Sequence, residues 1–342
     1  MRKFRTILAL ALVMLMAVAV LPACSSQTAE SDKTFKVALV LPGNVNDAGW
    51  SASAYAGLQL IEKDLGAEIA YSEAVAASDA ASIFRHYADQ GFDVIIGHGY
   101  EYGDIAMTVG PEFPDITFLV TSTNIAQAPN VGSMNTLPVE NGLLQGTAAA
   151  YMTKTKKIGA VGGLTFSSFF DPLNAYAAAA ISIDPEIEVM LNVIGSETDA
   201  ALAKETALSM IDEGADVIMY NANAAGQGAL EACKERGVYA IASIKDQNNL
   251  APDVMIGTGV CDTAIAMREV VSIIKDGKFE PKFYSMGVPT GCVYFVPNDA
   301  VYNTMSEEGR KAMDDLFDKL MKGEVDPYGM IDQYVPANVK VG

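Results

Sequence analysis

The chain has 342 residues, half of them hydrophobic, and a formal net charge of −19. This length suffices for about two domains of ordinary size. So acidic a chain neither binds nucleic acid electrostatically nor lies flat on an anionic bilayer, because both surfaces would repel it.

Residues 1–23 have the layout of a secretory signal peptide. Three basic residues precede an apolar run from Ile7 to Leu21, and a small residue stands before Cys24. The run is shorter than a comfortable membrane span, and no later stretch is long and apolar enough to span. Because removal of the segment takes away three basic residues and no acidic ones, the formal charge changes from −19 to −22 in the mature chain.

The segment Leu21-Pro22-Ala23-Cys24 resembles the bacterial lipobox, in which the Cys is lipid-modified and becomes the new N-terminus. The resemblance implies a lipid, such as palmitate, on Cys24; the alternative is a free thiol in a tail. Residues 24–34 are short and polar and would serve as a tether. We therefore expect a protein held by its N-terminal lipid on the extracytoplasmic face of the cell membrane.

Three cysteines remain in the mature chain, and the two histidines lie far apart. Cys233, Cys261 and Cys292 are odd in number and widely spaced, which is typical neither of a disulfide framework nor of a zinc site. We expect each to be a small buried hydrophobic residue, with one disulfide as the alternative. The histidines do not have the spacing of metal ligands, so we expect no metal site.

From Phe35 onward the chain alternates between predicted strands and helices. The first five strands are Lys36–Leu41, Glu68–Ser72, Asp93–Gly97, Thr117–Thr121 and Gly132–Asn135. A helix from Val139 to Met152 separates them from five more, at Lys157–Gly162, Glu188–Ile194, Asp216–Tyr220, Tyr239–Ser243 and Val254–Gly259. Such alternation predicts parallel sheets with helices on both faces, which is an α/β fold.

The series contains an internal repeat, in which Tyr87–Ile96 matches Met210–Met219. In both copies a helix ends at a Gly and a buried strand begins with Asp-Val-Ile. Two such lobes with facing strand ends would form one cleft, where open α/β sheets bind ligands. The other positions that the repeat brings together are Asn46–Trp50 with Ser167–Asp171, Tyr100 with Asn223 and Thr123 with Asp246.

The remainder of the chain extends both lobes. It contains a predicted helix at Asp262–Lys275, strands at Lys282–Met286 and Val293–Pro297, and a helix at Ser306–Met321. The chain would pass from one lobe to the other at three crossings, at about Asn135, Gly259 and Lys278. These crossings would place the helix Asp262–Lys275 on the first lobe. We therefore predict an N-terminal lobe of residues 35–135 and 260–278, and a C-terminal lobe of residues 136–259 and 279–342.

Loops after the strands of the N-terminal lobe supply the first candidate site residues. A Trp beside an acid and an amide suits a flat ring that carries hydroxyl or amine groups. The alternative is that Trp50 is the first core residue of its helix and Asp47 the N-cap. The candidates in this lobe are Asn46, Asp47, Trp50, Tyr100, Glu101 and Thr123.

In the C-terminal lobe, the segment before the first helix is aromatic where a loop should be polar. Either Phe169 or Phe170 would stack on the opposite face of a ring held by Trp50; the alternative is that both pack under the domain edge. Asn223 offers an amide and Asp246 a carboxylate. Acidic loops suit neutral polyhydroxyl ligands or cations and argue against phosphates.

No catalytic motif assembles in this sequence. It has no Gly-x-Ser-x-Gly elbow, no His-Glu-x-x-His and no phosphate-binding P-loop. His98 is more typical of a packing histidine than of a catalyst. We expect a protein that is not an enzyme and has no cofactor; a hydrolase that uses Asp47 and Asp246 as its acids is the enzymatic alternative.

Several segments, in their order along the chain, resemble the basic membrane protein family. These are lipoprotein substrate-binding components of ABC importers, of which purine nucleoside receptors are the best-known type. The segments are the lipobox, Val37–Val40 followed by Asn46-Asp47-x-Gly-Trp50, Gly57, Gly97–Tyr100, Glu140–Gly146 and Gly237–Ile241.

The resemblance implies a type I periplasmic-binding-protein fold, with two doubly wound parallel-sheet lobes joined by a hinge that closes on ligand. It implies that Asp246 takes ribose hydroxyls and that Phe169 or Phe170 is the second aromatic. Two family segments differ: Thr121-Ser122-Thr123 stands where an Asp is frequent, and Ile244-Lys245-Asp246-Gln247 stands where Asp-Ser-Asp-Gln is usual, so one acid is replaced. A free nucleobase or a flavin therefore stays open as the ligand.

We therefore predict a lipid-anchored receptor that binds a purine nucleoside or related heterocycle and delivers it to an ABC permease. One alternative is the same fold with another solute, such as a free nucleobase, riboflavin or a sugar. Another is a ligand sensor for a signalling partner. A gene regulator of similar fold is disfavoured, because an export signal stands where DNA-binding helices would be.

Overall fold

The computed structural model describes residues 34–46 and 50–341. The predicted signal peptide, the lipidation of Cys24, nearly all of the tether and the site residue Asp47 lie outside the described residues. The strands are β1 (Lys36–Val40), β2 (Glu68–Ser72), β3 (Val94–Gly97), β4 (Thr117–Thr121), β5 (Val131–Thr136), β6 (Lys157–Gly162), β7 (Glu188–Val193), β8 (Val217–Asn221), β9 (Tyr239–Ile244), β10 (Met255–Cys261), β11 (Phe283–Met286) and β12 (Val293–Pro297).

Helices alternate with these strands. They are α1 (Trp50–Leu65), α2 (Ala77–Asp89), α3 (Gly103–Val109), α4 (Pro138–Met152), α5 (Ser167–Ile183), α6 (Ala200–Asp212), α7 (Gly226–Arg236), α8 (Thr263–Lys275), α9 (Asp299–Tyr302), α10 (Glu307–Met321) and α11 (Pro327–Tyr334). The predicted strands and helices are confirmed within one or two residues; α9 and α11 were not predicted. None of the helices that the described residues form is long and apolar enough to cross a bilayer.

Two six-stranded sheets organise the chain. The N-terminal sheet has the order β11-β5-β4-β3-β1-β2, and the C-terminal sheet has the order β12-β10-β9-β8-β6-β7. All pairs are parallel except β12 with β10. Each sheet has one hydrophobic cluster on either face, because its strands are buried on both sides by helices. The predicted α/β architecture is confirmed.

Strand β11 corrects the predicted boundary between the lobes. Residues from 279 onward were assigned to the C-terminal lobe, but β11 pairs with β5, with Phe283 beside Ser133. The prediction was wrong there because α8 packs on α1 of the N-terminal lobe, and the next strand then adds parallel to the same sheet. Tyr284 and Met286 accordingly belong to that lobe's core. The last crossing lies at residues 287–292.

The carboxyl ends of both sheets face the junction between the lobes. β5 runs into the crossing at Leu137, and β10 runs into the crossing at Asp262, so the edge where each strand ends lies toward the other lobe. Since the strands within each sheet are parallel apart from β12, their ends share that edge. The loops after β1, β3, β4, β6, β8 and β9 therefore lie along two facing edges.

The first turns of α4 carry buried polar side chains at this junction. Asn141 Nδ2 donates to the carbonyl oxygen of Val260 at 2.8 Å, beside the second crossing. The carboxylate of Glu140 accepts from the backbone N–H of Val288 at 2.6 Å, in the third crossing. Burial raises the pKa of the Glu140 carboxyl, and the bond from Val288 opposes that shift. One helix end thus contacts two of the three crossings.

The three cysteines of the described residues carry free thiols. Cys233 and Cys292 are buried, as predicted, and Cys261 is half-buried. Burial raises the pKa of Cys233 and of Cys261 to about 12, and that of Cys292 to about 11. The thiols are therefore protonated at neutral pH and are weak nucleophiles.

Candidate functional site

Trp50 begins α1 at the carboxyl edge of the N-terminal sheet, and one face of its indole rests on His98. The two ring centroids are 4.1 Å apart, and the ring planes meet at 28°. His98 directly follows β3 and is fully buried. Its Nε2 lies 3.2 Å from the Trp50 carbonyl oxygen, and its Nδ1 lies 2.9 Å from Thr121 Oγ1, at the end of β4.

The exposure of Trp50 tests the alternative that its side chain belongs to the core. The side chain remains 46% exposed, although it is large and apolar. A residue that began the core of the helix would be buried, so the core alternative for Trp50 is wrong. An indole that is supported on one face and accessible elsewhere offers a surface on which a planar ring can stack.

The other described candidates of this lobe lie on the same edge. Tyr100 is 74% exposed and opens a short 3₁₀ turn after β3. Glu101 folds its carboxylate against Gly99, which has a φ of 142° and leaves no room for a Cβ. Thr123 is half-buried beside Gly103, and Asn46 is exposed in the loop after β1. Their side chains are thus spread over three loops.

In the C-terminal lobe, Asn221 holds the start of the helix that carries the candidate phenylalanines. This side chain is buried at the end of β8, and its Nδ2 donates to the carbonyl oxygens of Ser168 and Phe169, at 3.1 and 3.3 Å. The Phe169 ring packs against Gly163, where an added Cβ would lie 3.1 Å from Cε1. Phe169 and Phe170 are both half-buried.

The two polar candidates of this lobe are exposed and bonded locally. Asn223 has a φ of 47°, and its Nδ2 donates to Glu197 Oε1 at 2.5 Å. The Asp246 carboxylate accepts from the backbone N–H of Asn248 at 2.9 Å. One carboxylate oxygen of Asp246 is therefore engaged in a turn after β9, while the side chain as a whole stays accessible to water.

The strand topology brings the candidates to two facing edges but not into contact. Among the described residues, no hydrogen bond or ring contact joins candidates of one lobe to those of the other. Two surface grooves, of about 570 and 610 Å³, lie elsewhere. One is lined by β7, α6 and the C-terminal residues, and the other by α8 and β11. Neither groove includes any predicted site residue, so neither is the predicted ligand site.

The sequence analysis missed His98, Thr121 and Asn221 as supports of the site. His98 was predicted to be a packing histidine, and it does pack, but against the candidate aromatic. The internal repeat held the signal, because the shift that aligns Tyr100 with Asn223 also aligns His98 with Asn221. Both are polar residues at the end of a fully apolar strand, where an unexplained polar side chain indicates a specific bond.

Two doubly wound lobes whose strand ends face each other across three crossings define a fold of the periplasmic-binding-protein type. The chain belongs to the family of PnrA-like ABC transporter substrate-binding proteins, whose model matches residues 34–322. The resemblance seen in the sequence is therefore confirmed. Members of this class bind a small molecule and deliver it to a permease.

The relatives of this chain include one named as a transport protein and one named as a transcriptional activator. The chain is 29% identical to the ABC transporter nucleoside-binding protein BmpA of Lactococcus lactis, over 80% of this chain and 86% of that protein. It is 27% identical to the transcriptional activator protein med of Bacillus subtilis, over 82% of this chain and 88% of that protein.

A solved structure supports the fold. The ABC transporter solute-binding protein of Conexibacter woesei matches with a TM-score of 0.68 at 23% identity, over 86% of this chain and 98% of that chain.

Proposed function

We propose that this protein is the receptor of an ABC importer and captures a purine nucleoside or a related heterocycle between its lobes. The observation that carries the proposal is the half-exposed Trp50 indole, which is supported on one face by His98 at an edge where ligands bind. Family membership and the nucleoside-binding name of one relative support it.

The other candidates take roles around that stack. Phe169 or Phe170 approaches the ring from the opposite lobe when the lobes close. Asp246 accepts hydrogen bonds from a ribose, with Asn46, Asp47, Thr123 and Asn223 as further polar groups. Tyr100 and Glu101 border the opening. The protein releases its ligand unchanged and catalyses no reaction.

We further propose that Cys24 is the lipid-bearing N-terminus and holds the receptor on the extracytoplasmic face of the membrane. The support is the Leu-Pro-Ala-Cys segment after an apolar run. Labelled palmitate should enter the wild-type protein and be absent from Cys24→Ser, with that variant released from the membrane fraction. Equal labelling of both proteins would contradict the anchor.

Mass spectrometry of molecules that co-purify with the protein, followed by calorimetric titration, tests the ligand class. We expect binding of inosine or guanosine, and about tenfold to hundredfold weaker binding by Trp50→Ala, because a stacked base is worth about 1–3 kcal/mol. Tyr71→Ala is the matched control, since Tyr71 is an exposed aromatic residue on the edge strand of the same sheet. Binding of glucose with no binding of nucleosides, bases or riboflavin would overturn the proposal.

A second candidate function is a ligand sensor that acts on a regulatory partner. The observation that favours it is the likeness to a protein named as a transcriptional activator, med of Bacillus subtilis. Uptake of labelled ligand by cells separates the two functions. Loss of uptake on deletion of the gene supports the importer, whereas unchanged uptake with altered gene expression supports the sensor.

A further inference from the structure

The support beneath Trp50 is itself fixed in the sheet. The backbone N–H of His98 donates to the carbonyl oxygen of Val40 at 2.9 Å, so the residue is held beside the end of β1. Its ring is fully buried and lies against the indole at 4.1 Å. The packed end of the sheet thus fixes the position of His98, and the indole of Trp50 packs on the His98 ring.

Hydrogen bonds at both ring nitrogens fix the plane of the imidazole. The carbonyl oxygen of Trp50 can only accept, so Nε2 carries the hydrogen and donates to it. In the neutral ring Nδ1 is then the acceptor, and the hydroxyl of Thr121 donates to it at 2.9 Å. Because the indole lies on this imidazole at 4.1 Å between ring centroids, a fixed imidazole limits the orientations that the indole can adopt.

The C-terminal lobe repeats half of this arrangement. Asn221 occupies the position that the internal repeat aligns with His98, and it bonds to two carbonyl oxygens at the start of α5. In each lobe, then, a buried polar side chain at the end of the third strand holds the first turn of the helix that carries a candidate aromatic. In the N-terminal lobe the same side chain also contacts the aromatic ring.

We propose that His98 is a positioning residue that holds the Trp50 indole as a fixed platform, so that the stacking surface exists before a ligand arrives. The class of ligand that stacks on this platform depends on the proposed function. The contact between His98 and Trp50 does not depend on it. A side chain that is already ordered loses less conformational freedom on binding, which is worth about 0.5–1.5 kcal/mol. His98→Ala should therefore weaken binding about threefold to tenfold.

Trp50 is the only tryptophan of the chain, so its fluorescence reports on this position alone. Time-resolved anisotropy and quenching by iodide can be measured on the ligand-free protein. We expect His98→Ala to add a fast anisotropy decay and to increase quenching. Thr121→Val, which removes one hydrogen bond to the imidazole, should shift both in the same direction by less. His86→Ala is the matched control, because His86 is the other histidine and lies on α2.

The outcomes separate this proposal from the proposed function. Unchanged anisotropy and quenching in both His98→Ala and Thr121→Val would overturn the positioning role. Should His98→Ala fail to fold by circular dichroism, Thr121→Val decides alone, and wild-type fluorescence in it overturns the role. A mobile indole in the variants, combined with a wild type that binds glucose but no nucleoside, base or riboflavin, would uphold the positioning role and overturn the proposed function.

Discussion

The two lobes share one plan, but they hold their candidate aromatic residues differently. In the N-terminal lobe, His98 contacts both the backbone and the ring of Trp50. In the C-terminal lobe, Asn221 bonds only to backbone carbonyl oxygens, and the Phe169 ring packs against Gly163. In both lobes the buried side chain bonds to the backbone at the start of the helix. Only in the N-terminal lobe does that side chain also lie under the aromatic ring. The surroundings of the candidate aromatic ring therefore differ between the lobes, while the start of its helix is held in a similar way.

The helix pairs of the two lobes also differ in how closely they approach. In the N-terminal lobe, a Cβ on Gly57 of α1 would lie 3.1 Å from the Cα of Ala264 in α8. In the C-terminal lobe, a Cβ on Gly146 of α4 would overlap the carbonyl oxygen of Tyr176 in α5. The second pair leaves no space for a methyl group, and the first leaves a little.

The largest effect that we expect therefore comes from Gly146→Ala. The added methyl group must separate α4 from α5, which we expect to lower the free energy of unfolding by about 3 kcal/mol. Gly57→Ala is the control, because its close contact is offset by a gain in helix propensity of about 1 kcal/mol. Urea denaturation measures both. Equal losses in the two variants would contradict the difference in packing between the lobes.

Asn221→Ala tests the bond that both lobes keep. Two carbonyl oxygens lose their donor, so we expect the free energy of unfolding to fall by about 1–3 kcal/mol. Asn249→Ala, at an exposed position of the same lobe, should change it by less than about 0.5 kcal/mol. Thermal unfolding of both variants provides the measurement. A loss no greater in Asn221→Ala than in Asn249→Ala would mean that the bond does not stabilise the helix start.

Asp246→Asn sharpens the comparison at the ligand, since we propose that Asp246 and Trp50 contact it from different lobes. The amide oxygen can still accept from Asn248, so the turn is kept while the charge is lost. We expect inosine to bind about tenfold more weakly, since a hydrogen bond to a charged group contributes about 1.5–3 kcal/mol. Hypoxanthine, which lacks the ribose, should bind as before. Equal weakening of both ligands in calorimetry would exclude a ribose contact.

The smallest expected effect is a change in stability with pH that comes from Glu140. This residue on α4 bonds to Val288 in the last crossing, through which the chain returns from the N-terminal lobe. Burial raises its pKa, so the folded protein retains this proton to a higher pH than the unfolded chain. Its contribution to stability is therefore full below the unfolded pKa and declines as the pH rises through the folded pKa. Glu140→Gln can still accept from Val288 and should be modestly more stable at pH 8 than the wild type. Denaturation at pH 4 and pH 8 checks this, and an equal pH dependence in both proteins would contradict it.

Much of the fold could be predicted because the strands are continuous apolar runs between glycine-capped helices. The Gly91 and Gly214 positions of the repeat have φ values of 74° and 107°, as expected where a helix ends at a glycine. The assignment of β11 failed for a different reason. A four-residue strand carries no sign of which sheet it joins, and only the packing of α8 on α1 decides that.

The candidate site could be predicted only in part. Trp50 stood out because a single aromatic residue follows a strand end, and its exposure fits that prediction. Its support by His98 is not visible in the local sequence, because the two residues are 48 positions apart, and only the alignment of His98 with Asn221 in the repeat marks the histidine as unusual. Local sequence identifies an exposed aromatic side chain at a strand end better than it identifies the residue beneath that side chain.

A crystal structure of the protein with its co-purified molecule or with inosine tests the central claim most directly. We expect a planar ring stacked on the Trp50 face opposite His98, with the two lobes closed around it and the His98–Trp50 contact unchanged. A ligand bound without contact to Trp50, for example in the groove between β7 and α6, would contradict the account.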